Sequence, residues 1–230
     1  MPNSEPPQKC QRCGICCRKG GPALHKTDRE LVLTGAIGID NLLTIRPGEL
    51  VFNQFKNKLE PSLEDIIKIK GTTPNTWCCI FFDSNQKSCH IYPDRPLECR
   101  ILKCWDTQHI ESEYCTDRLQ RKDILGHISG LMELIDFHHN YCNPQQLHEQ
   151  LENLSSKNVP HISPHVKQLI IESIHWDERT RQLAQEKAKI SPEQFNFVFG
   201  RPIRQILKLY GWEAQKKDSK IYLRRTSVYR

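Results

Sequence analysis

Four thiols fall within eight residues at Cys10-Gln11-Arg12-Cys13-Gly14-Ile15-Cys16-Cys17, spaced C-x2-C-x2-C-C. A two-residue gap lets a tight turn aim two thiolates at one point, so this window can curl its sulfurs toward one or two soft cations. Gly14 fits such a turn because a residue without a β-carbon takes positive φ at little cost. The first structural expectation is therefore a metal-holding loop near the start of the chain.

The whole chain has eleven cysteines in 230 residues, far more than an ordinary intracellular protein carries. A disulfide framework would need an oxidising compartment, yet Met1 to Lys9 has no apolar core that could serve as a secretory signal. Reduced thiols in the cytoplasm are expected. The adjacent pairs Cys16-Cys17 and Cys78-Cys79 point the same way, since neighbouring thiols suit metals better than disulfides. No run of about 18 apolar residues suggests a membrane span.

The formal charge of +6 gathers toward the C-terminal end in Lys216, Lys217, Lys220, Arg224, Arg225 and Arg230. An excess this modest reads as a solvated face, and nucleic acid is not expected as a partner, although a protein partner is possible. A second sink for positive charge is the metal core itself. Zinc held by four thiolates is a net dianion, which Arg12, Arg18, Lys19, Arg95 and Arg100 are placed in sequence to offset.

Residues 1–9 hold three prolines and read as a flexible tail. Residues 10–118 read as a mixed α+β cysteine-cluster domain stapled by metal, and 119–230 as a helical C-terminal region. Within the first, Thr27 to Glu30 has the form of a capping box that opens a helix near 28–35, closed by Gly35. A strand is expected at 49–52 and a polar turn across 53–61, while 66–70 alternates as a half-buried strand would but could equally end a helix. Trp77–Phe82 and Cys89–Tyr92 should pair as a short hairpin with cysteines at both feet. Pro93–Arg100 allows an extended entry and then a helical turn carrying Cys99, with Cys104 about one and a half turns later.

Beyond 119, Ile124, Ile128, Leu131, Ile135 and His138 recur at helical spacing. Asn143-Pro144, Ser163-Pro164 and Ser191-Pro192 each place a capping side chain before a proline at the first helical position. Leu147, Leu151 and Leu154 serve the first of these helices, Val166, Leu169, Ile170 and Ile174 the second, and Phe195, Val198 and Phe199 the third. A further helix follows Pro202, and 212–225 reads as a β-hairpin. His138 and Cys142 share a helix face as ligands on helices do, although a structural role is the expectation for such a pair.

Downstream of the first cluster lie Cys79, Cys89, Cys99 and Cys104. With Cys10, Cys13, Cys16 and Cys17 they make eight thiols, a donor set suited to zinc or an iron–sulfur cluster and unsuited to magnesium or calcium. The opening C-x2-C-x2-C begins like a bacterial ferredoxin ligand run, but Cys17 replaces its continuation. The widely spaced second group also lacks the paired knuckles of a zinc ribbon.

Cys10-x2-Cys13-Gly14-x-Cys16-Cys17, then Cys79-x-Phe81, then Cys89-x-Ile91-Tyr92-x2-Arg95-Pro96-x2-Cys99-Arg100 resembles the YkgJ family of cysteine-cluster proteins, described as zinc- or iron-chelating. The resemblance covers residues 10 to about 105 and implies a cytoplasmic bacterial protein holding zinc or an iron–sulfur cluster, with no reaction assigned. A more distant resemblance to flagellin lysine N-methylases implies iron–sulfur-dependent methyl transfer to protein lysine. No glycine-rich S-adenosylmethionine loop is visible in the C-terminal region. A zinc-stapled module that recognises a protein or nucleic acid is the remaining alternative. Cys78, Cys115 and Cys142 lie outside the shared pattern.

Overall fold

The computed structural model describes residues 10, 12–53, 56–73, 76–156, 162–218 and 220–226, and the expected tail over 1–9 lies outside them. The fold is α+β, with small two-stranded sheets in place of one large sheet. Two compact units form. The described residues through Leu43 join Ile66–Ile124 in the first, and Thr44–Asp65 joins the chain from Leu125 onward in the second. No described helix is long and apolar enough to cross a membrane.

The first unit opens with a one-turn helix α1 (Ile15–Arg18) and continues into α2 (Arg29–Leu33), which a 3-10 turn over Lys26–Asp28 precedes. The cap of that turn falls two residues earlier than the Thr27-to-Glu30 pattern suggests: Asp28 Oδ2 accepts from His25 N at 3.0 Å. Strand β1 (Leu42–Ile45) contains the boundary between the units. In the second unit β2 (Leu50–Asn53) pairs antiparallel with β3 (Lys58–Pro61).

Back in the first unit, β4 (Ile66–Ile69) buries Ile67 and Ile69 and leaves Ile66 and Lys68 half-buried on its other face, as its alternation requires. Leu24 N donates to Ile67 O at 2.8 Å and Leu119 N to Leu24 O at 3.0 Å, so three fully buried residues stack through their backbones into the core of this unit. Removing any one of these side chains forfeits about 2 kcal/mol of burial.

The hairpin expected between Trp77–Phe82 and Cys89–Tyr92 is shorter and differently paired. Strand β5 (Gly71–Thr73) takes β6 (Thr76–Cys79) as its partner, and only β7 (Phe82–Asp83) and β8 (Ser88–Cys89) pair across the loop. Asp83 Oδ1 accepts from the backbone N–H groups of Asn85 and Gln86, which curls the chain early and limits the ladder. Helices α3 (Leu97–Ile101) and α4 (Gln108–Glu113) belong to the first unit, whose last residue, Ile124, lies within α5 (Arg121–Leu125).

Ile124 to His138 does not form one helix. Gly126 and Gly130 interrupt it, and α6 (Leu131–Tyr141) restarts from Gly130 at φ 74°. Two long helices follow as their caps predict: α7 (Pro144–Ser156) and α8 (Pro164–Ala188), where Val166 N donates to Ser163 Oγ at 3.3 Å. The Leu154 side chain lies outside the described set, and Leu169 is exposed, not part of the buried stripe. A 3-10 turn at Pro192–Gln194 leads into α9 (Phe195–Val198), then come α10 (Ile203–Leu209) and the hairpin of β9 (Trp212–Lys217) and β10 (Lys220–Arg225). Leu147, Leu151, Val166, Ile170, Ile174, Ile206 and Ile221 meet in one apolar core.

Candidate metal centre

The loop that carries the first four thiols is built by two residues in the left-handed region, Arg12 at φ 52° and Gly14 at φ 75°. Arg12 N donates to Cys10 Sγ at 3.4 Å, and Arg18 Nη1 donates to Cys13 O at 3.0 Å, so the loop is tied at both ends. Gly14 then caps α1, whose single turn carries Cys16 and Cys17 with their sulfurs 3.9 Å apart. The ring of Phe82 fills the space a β-carbon on Gly14 would need, which presses the loop onto the β7–β8 hairpin. Helix α1 also packs on β6, the strand that delivers Cys79.

The second group arrives on three elements. Cys79 ends β6 opposite Gly71, Cys89 ends β8 opposite Phe82, and Cys99 sits in the middle of α3. Each acts on the others electrostatically: Cys99 feels Cys79, Cys16 and Cys89, and Cys17 feels Cys79 and Cys99. Cys104, on an exposed turn just after α3, feels Cys16, Cys13 and Cys10. Cys78 also acts on Cys79, so the charges felt across this group extend beyond the eight thiols named from spacing. None of the eleven cysteines is in a disulfide.

The thiols are not equivalent. The Cys17 thiol shares its hydrogen bond with Cys16, lowering the latter to about 6 against the opposing effect of burial, with Arg95 adding a smaller pull. Cys17 moves strongly upward in consequence, with burial adding to the rise. Burial raises Cys79 to about 11, and burial followed by repulsion from Cys79 pushes Cys99 up. Desolvated thiols of this kind ionise readily only when a cation arrives, which is what a metal supplies.

The cations that sequence offers as counter-charges have mostly other work. Arg12 and Arg95 sandwich the Tyr92 ring, 4.3 and 3.7 Å from its centroid, and so clip the first cysteine loop to the segment leading into α3. Arg18 lies over Phe82, and Arg100 donates to Arg95 O while facing Asp28 at 3.6 Å. Cys78 is half-buried beside Cys79, and Cys115 is exposed after α4.

A second group of ligand-type side chains lies in the other unit, where His138, Cys142 and Asp177 bring their donor atoms within 4.8 Å of one another. Asp177 could not be paired with the other two from sequence, since it lies 39 residues from His138. These groups are already committed. Asp177 Oδ1 takes His138 Nε2 at 2.7 Å and Arg181 Nε at 2.8 Å, and Oδ2 accepts from Ile203 N at 3.1 Å. Arg46 Nη1 faces His138 Nδ1 at 3.4 Å and donates to Cys142 O at 2.9 Å, while Glu49 binds both Arg46 and Arg201. A metal ion would enter between Arg46 and Arg181, which repel it. Burial lowers His138 to about 4 and raises the Cys142 thiol to about 12, so both stay neutral. This group is an internal brace.

The eight-thiol cluster therefore remains as the metal candidate, and its donor set of sulfur alone fits a soft cation. Among the described residues no three of its sulfurs lie within 4.8 Å of one another. Residues 9–116 match the family model CxxCxxCC, described as "Putative zinc- or iron-chelating domain". Neither the curated proteins nor the solved structures contain a match to this chain.

Proposed function

We propose, from the match of residues 9–116 to the CxxCxxCC family model, described as "Putative zinc- or iron-chelating domain", that the first unit holds a metal–thiolate centre through Cys10, Cys13, Cys16, Cys17, Cys79, Cys89, Cys99 and Cys104. The supporting observation is that the elements carrying these thiols pack together: α1 lies on β6, Phe82 opposite Cys89 fills the space beside Gly14, and Arg12 and Arg95 both lie on Tyr92 in the segment leading to α3. A zinc ion and an iron–sulfur cluster are each held by four thiolates, so eight thiols would serve two such centres, and one centre would use half of them. An iron–sulfur cluster would supply redox chemistry there, and zinc would supply a structural cross-link. The free thiols agree with a reducing, cytoplasmic setting.

Metal analysis of Cys13→Ser and Cys99→Ser tests this reading. Both are expected to lose metal, whereas Cys142→Ser, in the core of the second unit, keeps it. Full metal stoichiometry in both cluster variants would sink the ligand set. A measurement of S-adenosylmethionine binding by the loaded protein then separates a methyl-transfer role from a redox or structural one.

A further inference from the structure

The second unit carries three aromatic rings together on its outside. Phe137 and Tyr141 lie one turn apart on α6, and Trp176 comes from α8. Each ring touches the other two: centroids are 4.7 Å apart for Phe137 and Tyr141, 5.7 Å for Phe137 and Trp176, and 4.5 Å for Tyr141 and Trp176. The two helices are seated on each other by buried residues, His138 on Asp177 and Cys142 Sγ on Ser173 O. Phe137, Tyr141 and Trp176 each stand one residue before His138, Cys142 and Asp177, and so turn away from that contact. They remain 41, 46 and 39% exposed. Aromatic rings that converge from two helices and stay this open form a docking surface, where Trp and Tyr supply the most binding energy per side chain.

The charges around the rings select the partner. Glu133 lies one turn before Phe137, Asp136 directly before it, and Glu172 one turn before Trp176, and all three are exposed. Glu172 accepts from the neutral Gln168 Nε2 at 2.8 Å and keeps its charge. Glu178 is matched by Arg204 at 2.6 Å and adds nothing. The opposing cation is Arg179, one turn after Trp176, which donates to the neutral Gln182 Oε1. Carboxylates therefore prevail beside the rings although the whole chain carries a formal charge of +6. The faces of the rings are themselves electron-rich and attract cations. Both effects favour a positively charged occupant and oppose a phosphate backbone.

We propose that the platform of Phe137, Tyr141 and Trp176 docks a basic segment of a partner protein, whose Arg or Lys side chains lie on the rings and are held by Glu133, Asp136 and Glu172. The site belongs to the second unit and stands whether or not the first unit holds metal.

The test is fluorescence anisotropy with labelled octa-arginine and octa-glutamate peptides, titrated with the full chain at low salt. Wild type is compared with Trp176→Ala, Trp176→Phe and the double variant Glu133→Gln, Glu172→Gln, with circular dichroism to establish equal folding. Octa-arginine binds wild type and octa-glutamate does not. Trp176→Ala weakens octa-arginine binding about tenfold, and Trp176→Phe restores most of the loss. The double variant, which changes only exposed side chains, weakens it about threefold and flattens its dependence on salt. Three results overturn the proposal: wild type leaves octa-arginine unbound; either the folded Trp176→Ala or the double variant binds it as wild type does; or sedimentation shows a wild-type dimer that Trp176→Ala dissociates, which would assign the platform to a second copy of the chain.

Discussion

The ring of Phe82 stands where a side chain on Gly14 would begin. One residue starts α1 and the other opens the β7–β8 hairpin, so this contact fixes the first cysteine run against the strand that ends at Cys89. Gly14→Ala must therefore both adopt φ 75° and displace an aromatic ring. It is expected to destabilise the first unit by about 3 kcal/mol and to lower metal stoichiometry, read by metal analysis and thermal melting. A fully loaded Gly14→Ala protein would show that the loop does not depend on this contact.

Tyr92 lies between the guanidinium groups of Arg12 and Arg95. Tyr92→Leu keeps apolar bulk but removes both cation–π contacts, so metal retention should fall about fivefold, while Tyr92→Phe should stay near wild type. Competition with a chelator at fixed pH measures the difference. Equal retention in the leucine and phenylalanine variants would leave Tyr92 as packing alone.

In the second unit, stability should depend on acid through His138 and Asp177. Burial holds His138 near 4 in the folded chain against an ordinary 6.5, so the unfolded chain binds the extra proton first. Stability is full above about pH 6.5 and falls as the pH drops toward 4, by on the order of 3 kcal/mol. Asp177 is held near 2 by His138 and Arg181 against the opposing effect of burial, and its contribution is lost as the pH falls from 3.8 through 2. His138→Gln should flatten the loss between pH 6.5 and 4 in denaturant titrations. An unchanged slope would assign that loss to other groups.

Arg181 links Asp177 to Phe195 O and Gly200 O and thereby braces α8 against the segment entering α10. Arg181→Met should cost about 3 to 5 kcal/mol, because it leaves Asp177 buried with one cationic partner fewer. Chemical denaturation of the two proteins at neutral pH gives the number. A loss below about 1 kcal/mol would mark the pair as dispensable.

The turn in the first cysteine loop and the long helices were legible because their signals are local. C-x2-C spacing, Gly14, and the Ser163-Pro164 cap each act within a few residues of what they specify. The hairpin after Trp77 and the helix through Ile128 were misread because each depends on a nearby turn: Asp83 curls the chain early, and Gly126 with Gly130 interrupts a periodic stripe. Buried charge was the least legible. Arg46 and Glu49 lie in a polar turn, yet both are fully buried by partners far along the chain: His138, Cys142 and Arg201. Such pairs are set by tertiary contacts that no local pattern encodes.

The most direct measurement is metal and acid-labile sulfide content, with an absorption spectrum, on protein purified without oxygen. Iron with sulfide and a broad band near roughly 400 nm, or stoichiometric zinc without sulfide, is the expected result, and the choice between them identifies the centre. Protein that is folded, fully reduced and free of both metals after reconstitution with each would contradict the account.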